Sequence, residues 1–435
     1  MMDKMDKFFK LKENNTNVKT EIVAGITTFM TMAYILIVNP SILSAAGMDQ
    51  GVVFTATAIS AIIGTLIMGL YAKLPFAQAP GMGLNAFFAY TVVLGMGYSY
   101  QFALTAVLLE GLIFIALTVF NVREAIVDSI PTNIKNAISV GIGLFIALIG
   151  LEGAGIVVHP ADGGTIVSLG NIISGQGLLA IIGILITGIL VARKVKGALF
   201  LGMVITAIIG IPMGVTTIPE SIVSMPPSIS STFMQFEWNN IFSLDMVIVL
   251  FTLLFMDMFD TIGTLVGVAT KAKMLDKNGK VPNIKKALFA DAVATTVGAC
   301  LGTSTVSTFV ESAAGVAEGG RTGLTAVSTA VMFGIALFFA PLFGVITPAV
   351  TASALVIVGL FMIETIKEID LEDYTEAIPA FLTIIMMPFA YSISDGIVFG
   401  VVSYIALKLF TGKYKDISIT TVIVAIVFVL KFIFV

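Results

Sequence analysis

The sequence predicts an all-α polytopic membrane protein, with about fourteen transmembrane segments arranged as two inverted repeats of seven. Three observations predict it. Of 435 residues, 57% are hydrophobic and only 11% charged, whereas a soluble domain carries roughly 25% charge and 45–50% apolar residues. So few charges cannot cover a soluble surface, and lipid must do so instead. Lysine and arginine fall in alternate gaps between apolar runs, and two unusually short runs occupy equivalent places in the two halves. The composition excludes a cytosolic enzyme, a nucleic-acid binder and a disordered scaffold. One cysteine (Cys300) and one histidine (His159) rule out an internal disulfide and a cysteine metal cluster.

A spanning helix needs about 20 mostly apolar residues. Such runs lie at 20–44, 52–72, 82–97, 101–120, 133–151, 176–192, 198–215 and 243–268. They continue at 286–301, 306–317, 322–342, 347–363, 376–391 and 393–411, and a fifteenth run, 417–435, either spans or lies along the bundle. These runs are numbered spans 1 to 14 below. With residues 1–19 cytoplasmic, the external gaps hold Gly47-Met48-Asp49, the 97–101 turn, the 152–175 loop with His159, and the 216–242 segment. None contains lysine or arginine. The internal gaps hold Lys73, Arg123, Lys135, Arg193, Lys194, Lys196, Arg321, Lys367 and a 269–286 loop with Lys271, Lys273, Lys277, Lys280, Lys285 and Lys286. Positive residues collect in cytoplasmic loops, so the parity supports fourteen spans with the N-terminus inside; Lys431, in the fifteenth run, breaks it.

A seven-span unit followed by a copy of itself is inverted, which makes spans 3 and 10 equivalent. These are the two runs too short to cross alone, the sequence pointer to a transporter site. Span 3 follows Pro75-Phe76-Ala77-Gln78-Ala79-Pro80-Gly81-Met82-Gly83, rich in helix breakers. Span 10 follows and includes Gly302-Thr303-Ser304-Thr305-Val306-Ser307-Thr308, rich in β-branched residues. Two short extended stretches are expected, each leading into a half-helix. Extended backbone at membrane depth survives only when paired or buried in protein, and pairing with each other would satisfy that.

Five acidic residues lie deep in spans: Glu110, Asp257, Asp260, Asp291 and Glu311. Each costs about 2.5–3.5 kcal/mol at a helix centre. For Glu110 and Asp257 a structural hydrogen bond between helices is the simpler expectation. Asp260 opens Asp260-Thr261-Ile262-Gly263-Thr264, and Glu311 sits in Phe309-Val310-Glu311-Ser312-Ala313-Ala314-Gly315 where a half-helix begins. Asn85, in Gly83-Leu84-Asn85-Ala86-Phe87-Phe88, opens the other half-helix, where an amide can cap it and meet a ligand at once. No lysine or arginine lies deep in the first thirteen spans to pair with these acids. They suit a ligand with several N–H donors, or a carried proton. With no histidine in any span, such a proton rides on a carboxyl: Asp260 or Glu311, with Asp291 as a relay.

Here the residues resemble a family. Asp260-Thr-Ile-Gly, Asp291 ahead of a Gly/Thr-rich stretch, and Glu311-Ser-Ala-Ala-Gly-Val follow the order seen in the xanthine/uracil permeases. The segments Ile22-Val-Ala-Gly-Ile-Thr-Thr-Phe-Met-Thr-Met-Ala-Tyr-Ile-Leu-Ile-Val-Asn-Pro40 and Pro80-Gly-Met-Gly-Leu-Asn-Ala-Phe-Phe-Ala-Tyr90 resemble the hypoxanthine/guanine/adenine branch. The resemblance implies a core domain (20–120 and 243–342, spans 1–4 and 8–11) and a gate domain (133–215 and 347–411, spans 5–7 and 12–14). It implies proton-coupled import of a purine base by a plasma-membrane protein without cofactor. The base would lie between spans 3, 8 and 10, on Asp260, Glu311, Asn85 and Gly83. Aromatic residues such as Phe87 and Phe309 suit its apolar face, and Ser312 beside Glu311 completes the expected set. Several relatives carry a histidine one turn after the span 8 acid; here that residue is Thr264. A homodimer is one assembly the reading leaves open.

Two other readings compete. An anion exchanger of the same architecture would use the half-helix N-termini, against the repulsion of Asp260 and Glu311. A membrane-embedded hydrolase would use Asp257 and Asp260, three apart on one helix, but the surroundings offer no nucleophile or metal.

Overall fold

The computed structural model describes residues 2–120, 131–159, 165–271, 274–275, 281–418, 421–422, 425–426 and 429. Arg123, Lys273, Lys277, Lys280, Lys431 and most of the 417–435 run lie outside the described residues. Among the described residues, eight helices of 18 to 28 residues are long and apolar enough to cross a membrane. Met82–Gly95, Ala198–Gly210 and Tyr374–Phe389 are shorter apolar helices. The protein is an all-helical polytopic membrane protein.

Local chemistry sets the ends of these helices. Asn17 caps Val18–Met32 by accepting from the Thr20 amide at 3.0 Å, and Asp49 caps Gln50–Ile67 through the Val52 amide at 2.9 Å. Ser99 does the same for Tyr100–Val119, and Thr322 for Gly323–Ala336. Each cap satisfies one of the donors that an α-helix leaves open at its start. Span 1 is not one helix. It breaks at Ala33 and Tyr34 and resumes as Ile35–Ala45, with Pro40 inside the second piece.

Both short spans are built as their sequences predict, and they pair. Strand β1 (Gln78–Pro80) lies antiparallel to β4 (Val306–Thr308), with Gln78 opposite Thr308, Ala79 opposite Ser307 and Pro80 opposite Val306. Pro80 has no N–H to give. The next residue continues the contact, Gly81 donating to the Thr305 carbonyl at 3.0 Å, and Phe309 donates to Ala77 at 3.0 Å at the other end. After β1 come Met82–Ala86 and a wide π stretch, Phe87–Gly95. After β4 comes Ser312–Ala317, so the helical part of span 10 begins six residues later than its apolar run.

Three features go beyond the expectation. The 152–175 loop contains a second strand pair, β2 (Val157–Val158) with β3 (Ser168–Leu169). Span 7 ends at Gly210 rather than 215, because Gly214 and Val215 turn back onto it. The 216–242 segment straps over the bundle. Its Met234 amide donates to the Cys300 carbonyl at 2.8 Å, and its Thr232 hydroxyl to that of Leu301 at 2.9 Å.

Spans 1, 2, 4, 9 and 11 pack against one another, and span 8 packs on span 4 and β4. Spans 5, 6, 7, 12, 13 and 14 form a second packed group. The first helix after β1 touches span 5, and the π stretch of span 3 touches span 14. The paired strands and the acids of span 8 thus lie within the first group, near its border with the second.

Candidate functional site

Of the two acids expected to matter most, one lies against β4 and the other just after it, each held by a hydroxyl. Ser307, in the middle of β4, donates to Asp260 Oδ2 at 2.9 Å. Tyr34, at the break in span 1, donates to Glu311 Oε1 at 2.5 Å. Neither acid is sealed in: Asp260 is exposed and Glu311 half-buried, although both lie inside the bundle. Among the described residues no second side chain donates to either acid. A carboxylate is an acceptor only, with about four lone-pair sites, so each acid keeps unused capacity toward the space it faces. The helix after Glu311 is six residues long and its dipole correspondingly small. Tyr34 is the side chain that holds this acid.

The remaining candidates separate by what they touch. Asn85 lies inside Met82–Ala86 rather than at its cap, which is Gly81. It is fully buried, its carbonyl accepts from the Ser304 hydroxyl, and its Nδ2 has no partner among the described residues. Gly83 approaches Ile142 of span 5: an added Cβ would sit 2.8 Å from Ile142 Cγ2. The glycine beside the acid is Gly81, where a Cβ would lie 2.7 Å from Ser307 Oγ and 3.5 Å from Asp260 Oδ2. Ser312 is buried with its hydroxyl accepting from the Ala77 amide at 3.0 Å, which ties the half-helix to the stretch before β1. Phe87 is 1% and Phe309 5% exposed, both in the main core cluster; in this conformation they pack and present little face to a ligand.

Asp291 is fully buried behind the strands, where Thr261 donates to its Oδ1 at 2.8 Å and Gln78 of β1 lies against it. Asp257 is also fully buried and contacts the same Thr261 hydroxyl at 3.2 Å. Asp257 and Asp260 therefore face different surroundings, one sealed and one open, which removes the acid pair on which a hydrolase reading depended. Glu110 is held by a residue from another part of the chain: Thr305, just before β4, donates to its Oε2 at 2.5 Å. His159 lies in the 152–175 loop, 3.2 Å from Glu152, and Glu152 also accepts from Tyr391 at 2.8 Å. Its proton affinity is raised, chiefly by the hydrogen bond to the Ile166 carbonyl and then by Glu152.

Two residues escaped the sequence reading. Tyr34 looked like any aromatic in an apolar run. Glu21 looked like a flanking charge, yet it is fully buried. Paired strands at the centre, half-helices leading away from them and open acidic groups beside them define a membrane carrier with a central site. The overall fold matches the transmembrane domain of a cyanobacterium bicarbonate transporter, BicA, with a TM-score of 0.67 at 16% identity, covering 88% of this chain and 97% of that one. This is the fold of seven-plus-seven inverted-repeat transporters.

The Permease family model, that of the xanthine/uracil permeases, matches residues 19–399, and the chain belongs to this family. It is 46% identical over 442 residues to the guanine/hypoxanthine permease PbuG of Bacillus subtilis, covering 99% of this chain and 100% of that one. It is 42% identical over 431 residues to the adenine permease AdeQ of Escherichia coli, covering 99% and 96%. The protein is a permease, a transporter and not an enzyme.

Proposed function

We propose that this protein carries purine nucleobases across the cell membrane, with Asp260 and Glu311 receiving N–H groups of the base. The observation that carries the reading is the pair of acids that each keep acceptor capacity within the bundle, where no lysine or arginine side chain among the described residues bonds to them. A purine brings ring N–H donors and no charge, so it satisfies both without burying an ion. The names of the relatives support both oxopurines and adenine as substrates. An anion shares the fold through BicA, but two carboxylates at the site oppose it.

Transport is proton symport in this reading, the proton carried on Asp260 or Glu311 with Asp291 behind them. The first packed group of helices, with span 3, span 8 and the strands, forms the core that holds the base. The second group forms the gate against which the core moves, so that the site opens to each side in turn. The N-terminus lies in the cytoplasm in this reading, which the lysine and arginine parity supports. The test is uptake of labelled hypoxanthine and adenine into proteoliposomes, with and without an inward proton gradient. Accumulation that collapses with a protonophore supports the reading. Uptake driven by sodium and indifferent to the protonophore overturns the coupling ion, and no purine uptake at all overturns the substrate.

A further inference from the structure

Span 1 stops at Met32 and restarts at Ile35, and the break faces the site. Tyr34 within it is 1% exposed. Packing accounts for the ring, which a phenylalanine would fill equally well. It does not account for the hydroxyl, which donates to Glu311 Oε1. Thr31, one turn earlier, reaches the backbone carbonyl of the same residue at 3.4 Å. Span 1 therefore grips Glu311 by main chain and side chain, across 277 positions of sequence.

A glutamate has three side-chain torsions, and an unheld one loses rotamer freedom whenever a ligand fixes it. With Oε1 held, the orientation of the carboxylate is set before any ligand arrives, and Oε2 is the oxygen left to receive. Preorganisation of this kind raises affinity without adding a contact to the ligand. Ser307 has the matching geometry on Asp260. Two held acids with one open oxygen apiece form a site that counts N–H donors.

We propose that Tyr34 is a positioning residue for substrate recognition: its phenol fixes Glu311 so that the open oxygen meets one ring N–H of the base. The proposal rests on the purine reading above and refines it, since it makes a single N–H of the base decisive.

The experiment compares the wild type, Tyr34→Phe, Glu311→Gln and the double variant in proteoliposomes and by equilibrium binding of hypoxanthine. Tyr34→Phe should raise the half-saturating concentration about three- to tenfold, the worth of one net hydrogen bond, with the maximal rate within twofold. If Tyr34 acts through Glu311, the double variant binds no more weakly than Glu311→Gln alone. Hypoxanthines methylated at N1, N7 or N9 give a second measurement. One of the three should bind the wild type weakly and be unaffected by Tyr34→Phe, because its methyl replaces the N–H that Glu311 reads. Losses that multiply in the double variant overturn the proposal, as does an equal loss for hypoxanthine and every methylated base. Should Tyr34→Phe not fold, a wild type indifferent to all three methyl groups overturns it as well. Wild-type vesicles that take up no purine overturn the substrate reading and this proposal together; normal wild-type uptake with multiplying losses overturns Tyr34 alone.

Discussion

Two glutamates inside the bundle, Glu311 and Glu21, differ by one thing, the number of donors around them. Glu311 precedes Ser312–Ala317 and, among the described residues, accepts from one side chain, Tyr34. Glu21, on span 1, is buried at the start of Gly323–Ala336. It accepts from the amides of Arg321, Thr322 and Thr325 at 2.9, 3.2 and 3.1 Å, and from the hydroxyls of Thr322 and Thr325 at 2.8 and 2.6 Å. The first turn of that helix is thereby satisfied by a side chain 300 residues away, with the charge at the favourable end of the dipole. Glu21 is saturated and Glu311 is not. Burial in a membrane bundle therefore does not separate the two glutamates; unused acceptor capacity does.

That contrast can be broken most directly at Glu21. Glu21→Ala strands several buried donors at about 1–3 kcal/mol each, so the variant should lose at least about 3 kcal/mol of stability. The measurement is thermal unfolding in detergent together with the yield of monodisperse protein. A stable, well-folded Glu21→Ala that transports poorly would put Glu21 on the functional side of the comparison.

Asp260→Asn and Glu311→Gln should behave in the opposite way. Each removes a charge-assisted hydrogen bond worth about 1.5–3 kcal/mol, roughly a tenfold to hundredfold loss of affinity. Membrane insertion and thermal stability should stay near those of the wild type, because among the described residues one side-chain donor depends on each group. Normal hypoxanthine binding by both variants would remove them from the site.

Glu110 lies between the extremes, held by Thr305 and fully buried. Glu110→Gln keeps an acceptor for that hydroxyl, so purine affinity should stay within twofold, under about 0.5 kcal/mol, and any effect should appear in expression. A well-expressed variant that fails to bind would assign Glu110 to the substrate.

The smallest effect belongs to His159. The folded protein raises its proton affinity, so whatever the protonated ring adds to the loop is present at acid pH and fades as pH rises through the raised value. The ring is exposed, and His159→Ala should leave both the rate of uptake and its pH profile unchanged. A shifted profile would show that a surface group takes part in coupling.

The sequence revealed the spans because hydrophobic length and positive-residue parity are one-dimensional signals. It revealed β1 and β4 because proline, glycine and β-branched residues at membrane depth have few other uses. It did not separate Gly81 from Gly83, since breakers announce a turn without its register, and a step of two residues moves the close contact from Asp260 to Ile142. Ser312 stood beside Glu311 in sequence, yet adjacency on a helix turns a side chain by 100° per residue, and Phe87 suited an apolar ligand face yet equally suits a core; both went into packing. Tyr34, Glu21 and the partner of Glu110 were illegible for one reason. Their meaning lies in contacts made across roughly 195 to 300 positions, which no local pattern encodes.

The pairing of β1 with β4 also has a consequence for how the molecule is made. The ribosome finishes β1 more than two hundred residues before it reaches β4, a delay of about ten to fifty seconds at ordinary elongation rates. Throughout that interval β1 has no strand to bond with, and lipid offers its amides and carbonyls nothing. Span 3 must therefore wait in a sheltered, hydrated place until the second half of the chain arrives, and the centre of the protein is among the last of its parts to close.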